Sequence, residues 1–142
     1  MWISKQDFQI RAESFRLNEP MNILRILCGL FFLPHALGKF AAGGLNPDTV
    51  GFFAQAGFAP AAAWVALAAV SELLVGVALI AGIATRFSAL AAAAVLLVAA
   101  YALGQVVGFK WFWGGSGMEY LIFWMSACLL VAQHAFLRHK RT

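Results

Sequence analysis

Charge is what this chain has least of. Asp, Glu, Lys and Arg make up 11% of its 142 residues against 63% hydrophobic, and the mean hydropathy is +0.82. A soluble domain of this size could not cover itself with so little polar surface, so an integral membrane protein is expected. Cysteine is nearly missing as well. Cys28 and Cys128 fall in different apolar stretches, at estimated heights about 6 Å apart, and neither belongs to a CxxC. Buried free thiols are expected, and thioredoxin-like exchange is excluded. The three histidines are scattered, with no H-x-x-x-H or E-x-x-H pair, so no metal site is expected. Phosphate loops, CxxCH and GxSxG are absent. With no haem, flavin or iron-sulfur signature, no intrinsic cofactor is expected. No basic patch interleaved with aromatics points to a nucleic-acid partner.

What is abundant is apolar sequence in runs of spanning length, at roughly 20 residues per crossing of a bilayer. The runs extend from about Asn22 to Ala41, Ala61 to Ala84, Ser88 to Gln105 and Glu119 to Leu137. They predict an all-α membrane protein, a four-transmembrane-helix bundle over residues 22–137, with an extension at 1–21 and a basic tail at 138–142. Lys5, Arg11, Arg16, Arg25, Arg86, Arg138, Lys140 and Arg141 fall at one face, and only Lys39 and Lys110 at the other. That asymmetry predicts both termini in the cytoplasm, and a bacterial-type inner membrane is the expected location. The net charge of +4 then reflects topology and attraction to anionic headgroups of the lipid bilayer. Arg25, Gln133, His134 and His139 are expected to snorkel to those headgroups. A cleavable signal peptide is not expected, because mixed charges precede the first run and Arg25 and Lys39 lie within it. The N-terminal segment makes a poor interfacial helix, since Phe8, Ala12 and Phe15 share one face while Ile3, Ile10 and Leu17 fall on the other.

The connections have their own signals. The tight turn ATRFS makes helices two and three antiparallel neighbours, and Ala68, Gly76, Ala78, Gly82 and the run from Ala91 to Ala94 permit close approach. In GGLNPDTVGFFAQAGFAP a short interfacial helix is predicted, with Asn46 as N-cap, Pro47 first, Asp48 favouring the dipole and Gly57 ending it. Phe52, Phe53 and Phe58 would then face the headgroup boundary. GFKWFWGGSG gathers aromatics as an interfacial belt does.

Glu72 is the only acid in its span, and a carboxylate at that depth pairs, protonates or serves a function. Counting at about 1.5 Å per residue from the cytoplasmic anchors puts His35, Glu72, Tyr101 and Trp124 at a common height, roughly 20 Å up. About one turn higher by the same count stand Lys39, Gln105, Glu119 and Tyr120. Lys39 follows His35 by four residues, so a continued helix would put both on one face. Pro34 lies just below and disturbs the helix hydrogen bonding there. Two roles stay open for Glu72: an ion pair with His35 or Lys39 that pins two helices, or proton handling. Tyr101 and Trp124 also read as packing aromatics, and Glu119 as a carboxylate complementing a helix N-terminus.

LRILCGLFFLPHALGKF, then SELLVGVALIAGIATRFSAL, then GGSGMEYLIFW resembles the DoxX family of small four-helix membrane proteins over about Asn22 to Ala135. His35, Gly38 and Lys39 match the end of that family's first helix, although Ala36 replaces the glycine common there. Glu72, Leu73 and Gly76 match its E-L-x-x-G pattern, Thr85 and Arg86 its turn, and Gly114, Gly115, Gly117, Glu119 and Tyr120 the start of its fourth helix. The resemblance implies a subunit or accessory of a respiratory or oxidative-stress redox system, some quinone-linked. On that expectation a quinone binds between helices one, two and three. His35 and Tyr101 would donate hydrogen bonds to it, Glu72 would accept protons, and Lys39, Trp124 and Glu119 would line the site. Electrons would come from a redox partner protein, with a homo-oligomer the other assembly expected. The alternative is a non-catalytic anchoring, assembly or lipid-binding module.

Overall fold

The computed structural model describes residues 3–139, so Lys140 and Arg141 of the basic tail lie outside the described residues. Five α-helices occur among them: α1 Pro20–Leu37, α2 Pro47–Gln55, α3 Ala61–Ala81, α4 Thr85–Val107 and α5 Glu119–His139. All but α2 are long and apolar enough to cross a membrane. The chain is an all-α, multi-pass membrane protein.

Helix ends depart from the hydropathy boundaries where backbone chemistry intervenes. α1 runs through Pro34 but stops at Leu37, four residues before Ala41, because Gly38 caps it and the chain turns into a two-stranded hairpin. In that hairpin β1 (Phe40–Ala41) pairs antiparallel with β2 (Gly44–Leu45), Phe40 opposite Leu45. α3 ends at Ala81 because Gly82 takes the left-handed conformation, φ +74°, and the Ile83 N–H closes on the Ala78 carbonyl at 2.9 Å, a Schellman-type stop. α4 then begins at Thr85, ahead of the expected Ser88. α2 starts as its sequence indicates: Asn46 Oδ1 accepts the Asp48 N–H at 3.0 Å and Pro47 is the first helical residue.

α1 packs chiefly along α3 and α4 along α5, while α3 and α4, although joined by the short turn, touch less extensively. Gly29 and Gly76 explain the first pairing. A Cβ on Gly29 would sit 2.7 Å from the Gly76 carbonyl oxygen, and one on Gly76 3.0 Å from the Gly29 oxygen. Backbones that close gain dispersion contact, the main attraction between helices in lipid. Gly76 therefore serves the α1 interface rather than the α3–α4 neighbour relation its sequence position suggested. Ala89, Ala92 and Ala93 of α4 share one buried cluster with Ala127 and Ala132 of α5, so small residues serve the second pairing too. Cys28 and Cys128 both belong to that cluster as buried free thiols.

Before α1 the chain forms two 3-10 turns, Lys5–Phe8 and Ala12–Phe15, and no α-helix. They strap the end of the bundle where the α3–α4 turn and the end of α5 also lie. The Ala84 N–H donates to the Asp7 carbonyl at 2.6 Å, and Asn22 Nδ2 donates to the Glu13 and Arg16 carbonyls at 2.9 and 3.1 Å. Side-chain and turn bonds thus replace the helix that its split apolar faces could not support.

Candidate functional site

At the end away from the termini, Lys39 Nζ lies 2.6 Å from Glu72 Oε2, both side chains largely buried. Because α1 has ended at Leu37, Lys39 is not on a helical face shared with His35. It reaches back instead, donating also to the His35 carbonyl at 3.2 Å. Lys39 is thus the partner of Glu72, between the two cations the sequence left open. An ammonium has three protons, so one remains beyond these two bonds. Glu72 Oε1 accepts no hydrogen bond among the described residues.

His35 stands beside this pair on α1. Its ring lies 5.5 Å from Trp124 and 6.4 Å from Tyr120, nearly parallel to the latter. Neither ring nitrogen hydrogen-bonds a described residue, so two polar atoms face open space. Trp124 is fixed from the other side: Nε1 donates to the Cys28 carbonyl at 3.2 Å and the ring packs 4.3 Å from Phe32.

That space is a cavity of about 590 Å³ with His35, Lys39 and Glu72 along one part of its wall. Elsewhere the wall is mostly apolar, with Leu67 and Ala68 of α3 and Val98 and Ala99 of α4, in the halves of those helices remote from their turn, although Asp48 and Thr49 of α2, Ser71 of α3 and Tyr120 of α5 also line it. α2 borders it with Phe52 and Phe53, while Phe58 packs between Phe53, Trp64 and Tyr101. Such size and lining, apolar with a few convergent polar groups, is usual for small-molecule sites.

His35, Lys39, Glu72, Tyr120 and Trp124 therefore come together, and the remaining sequence candidates do not. Tyr101 is 57% exposed and touches Phe58 outside the cavity. α4 contributes no polar side chain to the cavity wall. Gln105 is also exposed. Glu119 serves the loop before α5, accepting the Trp113 N–H at 3.0 Å.

A second charged centre, at the terminal end, was not legible. Arg25 is 3% exposed and does not snorkel. It donates to the carbonyls of Leu79 and Ile80 at the C-terminus of α3 and of Ser14 in the strap, where a cation complements both orphan carbonyls and the helix dipole. Arg86 is 4% exposed and pairs with Asp7 at 2.7 Å. Burial pushes the Asp7 carboxyl up, but the Ser4 N–H and the Arg86 guanidinium outweigh it and hold the group below the usual aspartate value. The one sequence signal was Arg25 lying three residues inside a span, which snorkelling explained equally well.

The DoxX family model matches residues 21–105. It takes in α1 to α3 and nearly all of α4, leaving out α5 and the glycine-glutamate stretch before it. No curated protein and no solved structure matches the chain.

Proposed function

Since the chain belongs to the DoxX family, we propose that it is a membrane subunit or accessory of a redox system that binds a quinone in the cavity under α2. What carries this reading is the placement of His35, Lys39 and Glu72 together in a largely apolar cavity of about 590 Å³. A quinone headgroup needs apolar walls, hydrogen-bond donors for its carbonyl oxygens and groups that exchange protons as electrons arrive. His35 and the remaining Lys39 proton supply donors. Glu72, through Oε1, accepts and returns protons, and its bond to Lys39 keeps the carboxylate and ammonium at a fixed separation while it does so. Two electrons accompany two protons in quinone reduction, and a partner protein supplies the electrons. The bundle sits in an inner membrane, with both termini cytoplasmic as the basic asymmetry directs.

Tyr120 and Trp124 shape the cavity beside His35 rather than carry protons. The Lys39–Glu72 pair would equally pin α1 to α3 in a non-catalytic anchoring module, so the test has to separate binding from assembly. Purified protein is titrated with a short-chain quinone while tryptophan fluorescence is followed, Trp64 and Trp124 both lining the cavity. Saturable quenching that weakens in His35→Ala and Glu72→Gln but persists in Tyr101→Phe is expected. Absence of saturation, or equal binding by all variants, leaves the anchoring module.

A further inference from the structure

The terminal end holds a second cavity, about 270 Å³, between the N-terminal strap, α1, the α3–α4 turn and the end of α5. Four arginines line it, Arg11, Arg25, Arg86 and Arg138, against two carboxylates, Asp7 and Glu13. Asp7 is already engaged by Arg86.

Arg25 gives this imbalance its meaning. It is almost fully buried, yet no carboxylate pairs with it among the described residues; its partners are neutral carbonyls. The C-terminus of α3 offsets its charge only in part, a helix end carrying roughly half an elementary charge. A cation held out of water requires a counter-charge or continued solvation. Around the same cavity the Arg11 side chain bonds, among the described residues, only to the neutral Gln6, through its carbonyl and side-chain oxygens at 3.2 and 3.4 Å. The side chains of Arg138 and His134, from the last turns of α5, have no described partner. Donors from the strap, α1 and α5 therefore converge on one polar space.

The strap also carries exposed apolar side chains: Phe8, Ile10, Phe15 and Leu17. Water is a poor medium for so dense a set, and the acyl boundary of a bilayer a good one. With these residues at that boundary, the basic cavity beside them lies at the level of lipid phosphates, where basic pockets between spanning helices bind anionic headgroups.

We propose that this cavity is a binding site for a phosphate-bearing anion, the phosphodiester headgroup of an acidic phospholipid, with Arg25 as buried counter-charge and Arg11, Arg138 and His134 as closing donors. The inference is independent of the quinone reading, which concerns the opposite end of the bundle. An occupied site ties the strap to α5 through a shared anion, so bound lipid stabilises the terminal end and not the cavity under α2.

The full-length protein in a neutral detergent is incubated separately with dioctanoyl phosphatidylglycerol, dioctanoyl phosphatidylcholine and inorganic phosphate. Retained ligand is read by native mass spectrometry and thermal stability by a melting curve. One phosphatidylglycerol per chain is expected, held roughly tenfold or more above phosphatidylcholine, with the preference lost in the Arg11→Gln/Arg138→Gln double variant. Those two side chains lie outside the packed core, so the double variant should fold and melt like the parent when no lipid is added. Protection by inorganic phosphate alone, removed by the same variant, supports the anion site and assigns it to a soluble phosphate. Equal retention of the two lipids with no effect of phosphate, or full phosphatidylglycerol binding by the double variant, overturns the proposal. Arg25→Met tests the counter-charge itself: if it folds, it must lose the preference, and unchanged preference also overturns the assignment.

Discussion

At the terminal end Arg25 bonds three backbone carbonyls and Arg86 bonds Asp7, so both guanidiniums hold chain segments together. At the far end Lys39 and Glu72 bond each other, but an ammonium proton, a carboxylate oxygen and both nitrogens of His35 are left over beside a largely apolar cavity. Along α1 the rise per residue separates Arg25 from Leu37, where the helix ends just before Lys39, by about 18 Å. The two centres teach that burial of charge in a small bundle has two uses that do not exclude each other. Bonds to backbone or to a partner side chain fix architecture, and whatever charge or hydrogen-bonding capacity those bonds leave uncompensated is available to a ligand. At the far end what is left is protons and lone pairs, and at the terminal end it is the charge of Arg25.

The comparison breaks most visibly at Glu72. Glu72→Ala leaves the Lys39 ammonium buried without its partner and should destabilise the bundle by about 3 kcal/mol or more, read from chemical or thermal unfolding in a defined detergent. Replacing both partners with apolar residues of similar volume, Lys39→Met with Glu72→Leu, should recover most of that loss. The double variant should nevertheless remain unable to bind quinone. Full quinone binding by the stable double variant would place the ligand elsewhere.

Arg25→Met removes the guanidinium from three carbonyls and should be felt as loosening of the strap and of the last turn of α3. Hydrogen bonds to charged groups contribute about 1.5–3 kcal/mol each, but the variant also relieves the burial of a charge that no carboxylate among the described residues offsets, so about 2 kcal/mol in total is expected. Hydrogen exchange should locate the change near Ser14, Leu79 and Ile80 and leave the α2 region unaltered. Loss of protection centred instead on the cavity would mean that the two ends are one cooperative unit.

The smallest effect concerns pH. Asp7 is held below the ordinary aspartate value of 3.8, so its contribution is complete above that value and is lost as pH falls through the lower folded value. Protease resistance of the strap should therefore be flat from neutral pH down to about 5 and decline below about 4. Asp7→Asn should remove this dependence, and a decline that persisted in Asp7→Asn would assign the acid sensitivity to another group.

Much of the fold was legible because hydropathy reports directly whether a segment prefers lipid to water. The four spanning segments, the short helix after Asn46 and the pairing of Glu72 with a cation all follow from that preference and from local capping chemistry. Helix ends were misjudged wherever glycine competed with hydropathy: Gly38 and Gly82 stop helices whose apolar runs continue. Within the candidate site the height count grouped His35, Glu72 and Trp124 usefully, and it grouped Tyr101 with them although Tyr101 points elsewhere. Rise per residue gives a side chain's depth but not the direction it faces around the helix axis.

By itself, then, the sequence determined that this is a four-span helical membrane protein, and that one carboxylate in its second span has to find a partner. Tertiary structure alone decided that the partner is Lys39, that α2 borders a cavity beside the pair, that Tyr101 is turned away from it, and that Arg25 faces inward to the end of α3. The division has a physical cause. Partition between water and lipid is a property of each segment and is written locally. The rotation of each helix about its axis is set by contact between segments, here the approach of Gly29 to Gly76 and the alanine packing of α4 on α5, and no single segment contains that information.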